Sequence, residues 1–358
     1  MENLVNPQFY SGKRVFITGH TGFKGSWLSL WLTHSGAEVT GYAQPPEQTP
    51  DSLFSLTGLA HKVTSIYGDV RHYASLHRAI EGAKPDIIFH MAAQSLVLPS
   101  YSAPVDTYST NIMGTVHLLE AVRQVGGVKA VVNVTTDKCY ENTETAAAFR
   151  EGDPLGGYDP YSSSKAAAEI VSAAYRRSFL VKEHIHMATV RAGNVIGGGD
   201  FSMHRLIPDI IRAAKSRTPI NLRNPASIRP WQHVLDVLRG YLMLGQLLFE
   251  QGKTYAEAYN FGPDESNITV SEIAKALLSS MQNPPVITQL QEDTVHEAKN
   301  LNLDNSKAKA KLGWHSRLDT HQAIQLTAAW YNHYLNHPQT IAEFTQEQLV
   351  SYMTGKIA

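Results

Sequence analysis

Tyr161 and Lys165 stand four apart in Tyr161-Ser162-Ser163-Ser164-Lys165, directly after Pro160. Proline suits a helix start, and a spacing of four puts both side chains on one helical face. A phenol titrates near pKa 10, so service as a base at neutral pH needs a shift of roughly 3 units, about 4 kcal/mol of environment. An adjacent ammonium and a cationic nicotinamide ring both favour the phenolate. Such a pair takes a hydroxyl proton while hydride leaves the same carbon for a pyridine nucleotide. The same spacing on a solvated helix with a surface lysine would do nothing, so the rest of the chain must supply the cofactor.

A second group of candidates, Thr135-Thr136-Asp137-Lys138, follows the apolar run Ala130–Val134. Neighbours on a regular strand point to opposite faces, so Asp137 and Lys138 share a substrate only where the strand has already turned. Lys138 serves as a base only if its pKa falls by roughly 3 units; otherwise it stays charged and steadies an enolate oxygen. The bland alternative is an Asp–Lys surface pair.

The cofactor signal lies near the start. The run Val15–Thr18 leads into Gly19-His20-Thr21-Gly22-Phe23-Lys24-Gly25 and then a helical pattern. Glycines in G-x-x-G-x-x-G spacing between a first strand and a first helix let the backbone approach a pyrophosphate, which the helix N-terminus then meets. Asp69-Val70 follows Val63–Tyr67 at a position suited to an adenine amino group, and Ala92-Ala93-Gln94 after His90-Met91 leaves room beside a nicotinamide ribose. The acid expected at the end of the second strand, gripping the adenosine ribose, is absent from Gly41-Tyr42-Ala43-Gln44. Glu47 or Asp51 substitutes, or the cofactor is held loosely. No arginine sits there for a 2′-phosphate, and these residues leave NAD and NADP both open.

These residues need a frame. The apolar runs Val15–Thr18, Val39–Tyr42, Val63–Tyr67, Ile87–Met91, Ala130–Val134 and Met187–Arg191 alternate with helical stretches such as Lys24–Ser35, Thr107–Val125 and Tyr161–Leu180. Near-continuous apolar strands separated by helices predict an α/β fold with a doubly wound, Rossmann-type parallel sheet. After Arg191 the rhythm stops at Gly197-Gly198-Gly199. The expected division is a dinucleotide-binding domain over 1–191, with 234–262 packing back onto it, and a smaller, mostly helical lobe from 192–233 and 263–358. Helix signals at Ser271–Met281, Ser306–Leu312 and Gln322–Leu335 carry that lobe, with no further strand–helix alternation.

Composition closes off other classes. The chain has 358 residues, 43% of them apolar and 18% charged, with 31 basic against 32 acidic side chains. That balance predicts neither a nucleic-acid nor a membrane-surface partner. Tyr241–Phe249, the longest greasy run, is too short to span a bilayer. Met1–Ser11 lacks the features of a signal peptide, so a cytoplasmic enzyme is expected. One cysteine, Cys139, excludes an intrachain disulfide and reads as a buried strand-end residue rather than a nucleophile. Sixteen histidines show no H-E-x-x-H, and no metal is expected. Trp27 and Trp31, four apart on the first helix, read as core.

The chain resembles the extended short-chain dehydrogenase/reductase family over nearly its whole length, in the Gly19/Gly22/Gly25 loop, Asp69, Ala92-Ala93-Gln94, Asn111 in Asn-Ile-Met-Gly-Thr, and Tyr161 with Lys165. The resemblance implies NAD chemistry on a nucleotide-sugar held between the two lobes. Sugar 4,6-dehydratases of the family carry Thr-Asp-Glu, where the aspartate protonates the departing C6 hydroxyl and the glutamate removes the C5 proton. Thr136 and Asp137 match, and Lys138 departs. Gly19–Trp27, Arg191–Asp200 and Arg229-Pro230-Trp231-Gln232-His233-Val234 look like the CDP-glucose branch, a lyase that oxidises C4, eliminates water across C5 and C6 and returns hydride to C6. By the same likeness, Thr135 and Asn111 join the cofactor site. Asn194 faces the sugar and Arg229 the pyrophosphate; Ser95, Arg205 and His233 belong to the same pocket, and His296-Glu297 to the nucleotide end. The helices Thr107–Val125 and Tyr161–Leu180 imply a homodimer or a dimer of dimers. Relatives supply dideoxysugars to bacterial surface polysaccharide, including lipopolysaccharide O-antigen. Two rival readings are another nucleotide-sugar dehydratase or 4-epimerase, against which Asp137 argues in the epimerase case, and a dinucleotide sensor without turnover.

Overall fold

A computed structural model describes residues 6–46, 52–144, 147–264, 268–281, 284–291 and 300–357. Six parallel strands, β1 (Arg14–Thr18), β2 (Glu38–Ala43), β3 (Thr64–Tyr67), β4 (Ile87–His90), β5 (Ala130–Val134) and β6 (His186–Ala192), form most of one sheet. Its spatial order runs from β3 through β2, β1, β4 and β5 to β6. Every residue of β4 and β5 is buried, as strands covered by helices on both faces require.

A seventh strand, Ala258–Phe261, pairs parallel with β6, Ala258 opposite Thr189. It follows the helix Val234–Gln251, which lies against β5 and β6. Sequence patterning missed this strand because Ala-Tyr-Asn-Phe is short and carries a buried asparagine, whose amide donates to the Phe149 and Asp304 carbonyls.

The alternation also continues beyond the point where it was expected to end. Ile220–Arg223 and Ile287–Gln291 pair parallel as a separate two-stranded sheet, with the helix Leu206–Ser216 leading in. Two short polar-rich strands acquire their identity only from each other, so periodicity does not find them.

Two helices read as continuous are interrupted. The stretch Thr107–Val125 resolves into Pro104–Tyr108, a π-helical turn Ser109–Met113 and Gly114–Val125, and Tyr161–Leu180 into Pro160–Tyr175 and a π-helical turn Arg176–Leu180. The first of these turns holds Asn111. The chain reverses its winding between β1 and β4, and the crevice at the C-terminal ends of these strands is where a ligand belongs in such a sheet.

Candidate active site

β1 delivers the glycine loop to that crevice. Gly19 has φ +78°, and a Cβ there would lie 2.9 Å from the Ala92 nitrogen; at Gly25 a Cβ would lie 2.1 Å from the Gly19 oxygen. Both positions require glycine so that loop, helix and β4 close up. Gly22 is the N-cap of the helix Phe23–His34 and supplies no capping side chain. The first-turn amides therefore remain available to an anion, and the exposed Gly22 leaves the approach open. These features fit a dinucleotide pyrophosphate.

Around the loop, Thr18 Oγ1 accepts from the Met91 and Ala92 amides at 3.0 and 3.1 Å, tying β1 to the Ala92-Ala93-Gln94 segment. Asn111 holds the same segment from the other side. Its Oδ1 accepts from the Gln94 amide at 2.9 Å, and its Nδ2 donates to the Gln94 carbonyl and to Ser164 Oγ. Asn111 is thus a buried clamp and does not line the crevice. His20 also turns away: its buried ring contacts Ser65 Oγ at 3.0 Å in space that a side chain at Gly41 would fill. That histidine was expected to face the cofactor; only its backbone is on the loop.

Beyond the end of β3, Asp69 accepts from Arg71 and from Gln44 Nε2, the latter at 2.8 Å. Burial works against its charge, but the Arg71 and Gln44 hydrogen bonds prevail and hold the carboxyl at about 2. Gln44, standing where the second-strand acid is missing, is therefore bound to Asp69. Glu47 and Asp51, the alternatives for that acid, lie outside the described residues.

The strand does turn before the acid–amine pair. β5 ends at Val134, Thr136 remains extended as an N-cap, and Asp137–Cys139 forms a 3₁₀ turn. Asp137 and Lys138 consequently line the same cleft of about 780 Å³ as Tyr161 and Lys165. Thr135 lines it as well, with its hydroxyl directed to Glu169 Oε1. Asp137 is 2% exposed; its Oδ1 accepts from Thr136 Oγ1 at 3.0 Å, while Oδ2 has no partner among the described residues. Burial raises its carboxyl above the usual range, against the opposing charges of Lys138 and Arg229.

Asp159 caps the helix Pro160–Tyr175 by accepting from the Ser162 amide at 2.9 Å, which fixes where Tyr161 and Lys165 begin their shared face. Lys165 Nζ donates to the Val134 carbonyl at 3.1 Å, and burial brings its pKa down to about 8. Tyr161 does not reach the lowered pKa expected of it. Burial pushes it up to about 12, and its hydrogen bond with Thr136 only partly offsets this. In the protein alone Tyr161 is a phenol. Cys139 is fully buried and its thiol is raised well above the ordinary value, which leaves no reactive thiolate.

On the opposite rim, Ser95, Asn194, Arg205 and Arg229 line the cleft. Arg205 donates to Asp200 Oδ2 and to Ser95 Oγ, each at 3.0 Å, and so spans the crevice mouth. His233 does not belong to this group: fully buried, it caps the helix Val234–Gln251 by accepting from the Leu235 amide. His296 and Glu297 lie outside the described residues. Sequence reasoning missed Asp200, Asn221, Arg223 and Tyr241 near the site. Asn221 and Arg223 sit on the unrecognised strand, and Tyr241 was read only as part of a greasy run. Among the described residues no cluster of three or more His, Cys, Asp or Glu side chains is placed to hold a metal.

A family model described as GDP-mannose 4,6 dehydratase matches residues 16–327. The chain is 49% identical to a CDP-glucose 4,6-dehydratase of Salmonella typhimurium over 98% of its own length and 99% of the relative's. Among solved structures it is similar to MoeE5 in complex with UDP-glucose and NAD (TM-score 0.77, 23% identity, 90% of this chain and 99% of the other). It is also similar to a double mutant of DesIV, the dTDP-glucose 4,6-dehydratase of Streptomyces venezuelae (TM-score 0.76, 24% identity, 88% and 96%).

Proposed function

This chain belongs to the GDP-mannose 4,6-dehydratase family, among the extended short-chain dehydrogenases/reductases, and from that premise we propose that it converts CDP-glucose to CDP-4-dehydro-6-deoxyglucose and water. It is an NAD-dependent hydro-lyase. The near full-length likeness to a CDP-glucose enzyme carries the choice of nucleotide. The geometry that supports the chemistry is Asp137 and Lys138 on one turn, in the same cleft as Tyr161 and Lys165.

The first-turn amides of Phe23 and Lys24, Asp69, the Asn111-clamped segment and Lys165 would hold the cofactor. NAD, once bound, would supply the hydride acceptor for C4 and the donor for C6, and its cationic ring would favour the Tyr161 phenolate. Tyr161 receives the C4 hydroxyl proton, and the Thr136 hydrogen bond steadies the resulting charge. The new ketone acidifies C5–H. Asp137, whose carboxyl burial raises above the usual range, is placed to give a proton to the departing C6 hydroxyl through its Oδ2 edge, which has no partner among the described residues. Lys138 takes the C5 proton or steadies the enolate oxygen beside it. Arg229 and Asn194 hold the diphosphate and sugar, since a guanidinium matches a diphosphate with forked hydrogen bonds.

The large exposed apolar side chains Val105, Met113, Ile170 and Phe179 support pairing of two copies through the helical stretches 104–125 and 160–180. No described helix is long and apolar enough to cross a membrane. A cytoplasmic place, feeding dideoxysugar synthesis for surface polysaccharide, follows from the proposed substrate. Incubation of the purified protein with CDP-glucose and NAD⁺ should yield a 4-keto sugar that develops its chromophore in alkali. Turnover of another nucleotide-glucose with none of CDP-glucose would overturn the nucleotide assignment, and turnover of neither would overturn the activity.

A further inference from the structure

Behind the cleft lies a buried ion pair that the proposed chemistry does not use. Glu169 on the helix Pro160–Tyr175 and Arg191 on β6 are each 4% exposed and meet as a fork: Arg191 Nε donates to Glu169 Oε1 at 3.0 Å and Nη2 to Oε2 at 2.9 Å. Thr135 Oγ1 also donates to Oε1, and Thr189 Oγ1 to Oε2 at 2.7 Å. On its other side, Arg191 Nη1 donates to Tyr140 Oη at 2.8 Å and to the Glu151 carbonyl at 3.2 Å. Tyr140 Oη in turn donates to Asn260 Oδ1, on the seventh strand, at 2.7 Å. Glu169, Arg191 and Tyr140 do not line the cleft.

A buried ion pair adds little net stability over apolar packing of the same volume, but a forked one whose further hydrogen bonds are made fixes geometry. Here it fixes a turn. Thr135 stands just before the extended N-cap Thr136, Tyr140 stands just after the 3₁₀ turn Asp137–Cys139, and the same ion pair holds both side chains. The backbone at the turn's exit is bonded to the loop that follows: the Gly156 amide donates to the Cys139 carbonyl and the Glu141 amide to the Pro154 carbonyl, each at 2.9 Å. The Tyr140 phenol ties that exit to the sheet. Glu169 lies four residues after Lys165, on the helical face that Tyr161 shares. The pair thus joins the helix of the oxidation residues to both ends of the turn that carries the acid and the amine.

We propose that Glu169, Arg191 and Tyr140 are positioning residues that hold Asp137 and Lys138 at a fixed offset from Tyr161 and Lys165, so that the 4-keto sugar formed on one wall already presents C5 and C6 to the other. Loosening the Tyr140 end slows elimination and spares oxidation, because Lys165 keeps its bond to the Val134 carbonyl and Glu169 keeps Arg191. A 1 Å misplacement of a reacting group costs on the order of a hundredfold in rate, so a slackened turn should cost roughly tenfold or more.

The inference rests on the reading of Asp137 and Lys138 as the elimination residues, and the experiment keeps the two apart. The NAD⁺-loaded parent and three variants are mixed with CDP-glucose in D₂O. Absorbance of reduced nicotinamide reports C4 oxidation, and deuterium entry at C5 reports the step after it. Tyr140→Phe removes the hydroxyl and keeps the ring stacked on Phe149, with centroids 4.8 Å apart. Phe149→Leu removes the stacked ring and keeps the hydroxyl. Ile80→Val thins the core at a fully buried site on the helix Tyr73–Ala83, outside the cleft lining, and controls for lost stability. In Tyr140→Phe the reduced nicotinamide should form as fast as in the parent and then accumulate, while deuterium entry and turnover fall roughly tenfold or more. Phe149→Leu should move the ratio of the two rates in the same direction, and Ile80→Val should leave it where it was. A purely structural role lowers the amount of active protein and leaves that ratio unchanged. An unchanged ratio in Tyr140→Phe or Phe149→Leu, or an equal shift in Ile80→Val, overturns the proposal alone. A parent that forms neither reduced nicotinamide nor product defeats the underlying reading as well.

Discussion

Asp137→Asn replaces the buried carboxyl with an amide and changes little else in the cleft. The carboxyl is 2% exposed, with Oδ1 accepting from Thr136 Oγ1 at 3.0 Å and Oδ2 without a partner among the described residues. An asparagine keeps the Oδ1 acceptor and places an amide nitrogen where Oδ2 stood, so shape and the Thr136 contact survive. What is lost is the acid. A positioned general acid is worth about 10²–10⁴ in rate, or about 3–5 kcal/mol of barrier. C4 oxidation depends on Tyr161 and should proceed, leaving elimination as the slow step. Mixing the NAD⁺-loaded variant with CDP-glucose should therefore produce the absorbance of reduced nicotinamide, approaching one per site, followed by turnover slowed by that factor. Stability gives the control. A carboxyl raised by burial destabilises the fold once it is ionised, a cost that is absent at low pH and grows as pH rises from the unfolded pKa through the raised folded one. At neutral pH the variant should be at least as stable as its parent. Turnover close to that of the parent, or slow turnover with no reduced nicotinamide, would refute the acid role.

Tyr161→Phe should eliminate C4 oxidation, so that no reduced nicotinamide forms on mixing; normal turnover would remove tyrosine as the base. Lys138→Ala should spare that oxidation while slowing solvent deuterium entry at C5, and unchanged exchange, followed by NMR, would exclude Lys138 from the proton transfer. Glu169→Gln leaves Arg191 buried without its counter-charge, each partner being 4% exposed, and should cost about 3–5 kcal/mol in a urea titration. Ile170→Asp should shift the protein towards a monomer in light scattering if the helical stretches 104–125 and 160–180 pair two copies; an unchanged mass would place the contact elsewhere.

Much of this was readable without coordinates, and for a local reason. Phosphate-loop glycines and a four-residue helical spacing are short-range constraints, so Gly19, Gly22 and Gly25 and the face shared by Tyr161 and Lys165 are written in adjacent residues. Continuous apolar runs likewise announce buried parallel strands, since both faces of each strand meet helices. Tertiary structure decided whatever depends on distant partners. The strand Ala258–Phe261 exists because β6 offers an edge, and the Ile220–Arg223 pairing because Ile287–Gln291 comes alongside. His20 and His233 look like site residues in sequence, yet packing turns one towards Ser65 and makes the other a helix cap. Spacing could not say whether Asp137 and Lys138 share a wall, because the answer lies in the 3₁₀ turn that follows β5. Nor could it show that Tyr161 rises to about 12 while Lys24 falls to about 7: those directions come from burial, which the whole fold creates and no local stretch contains.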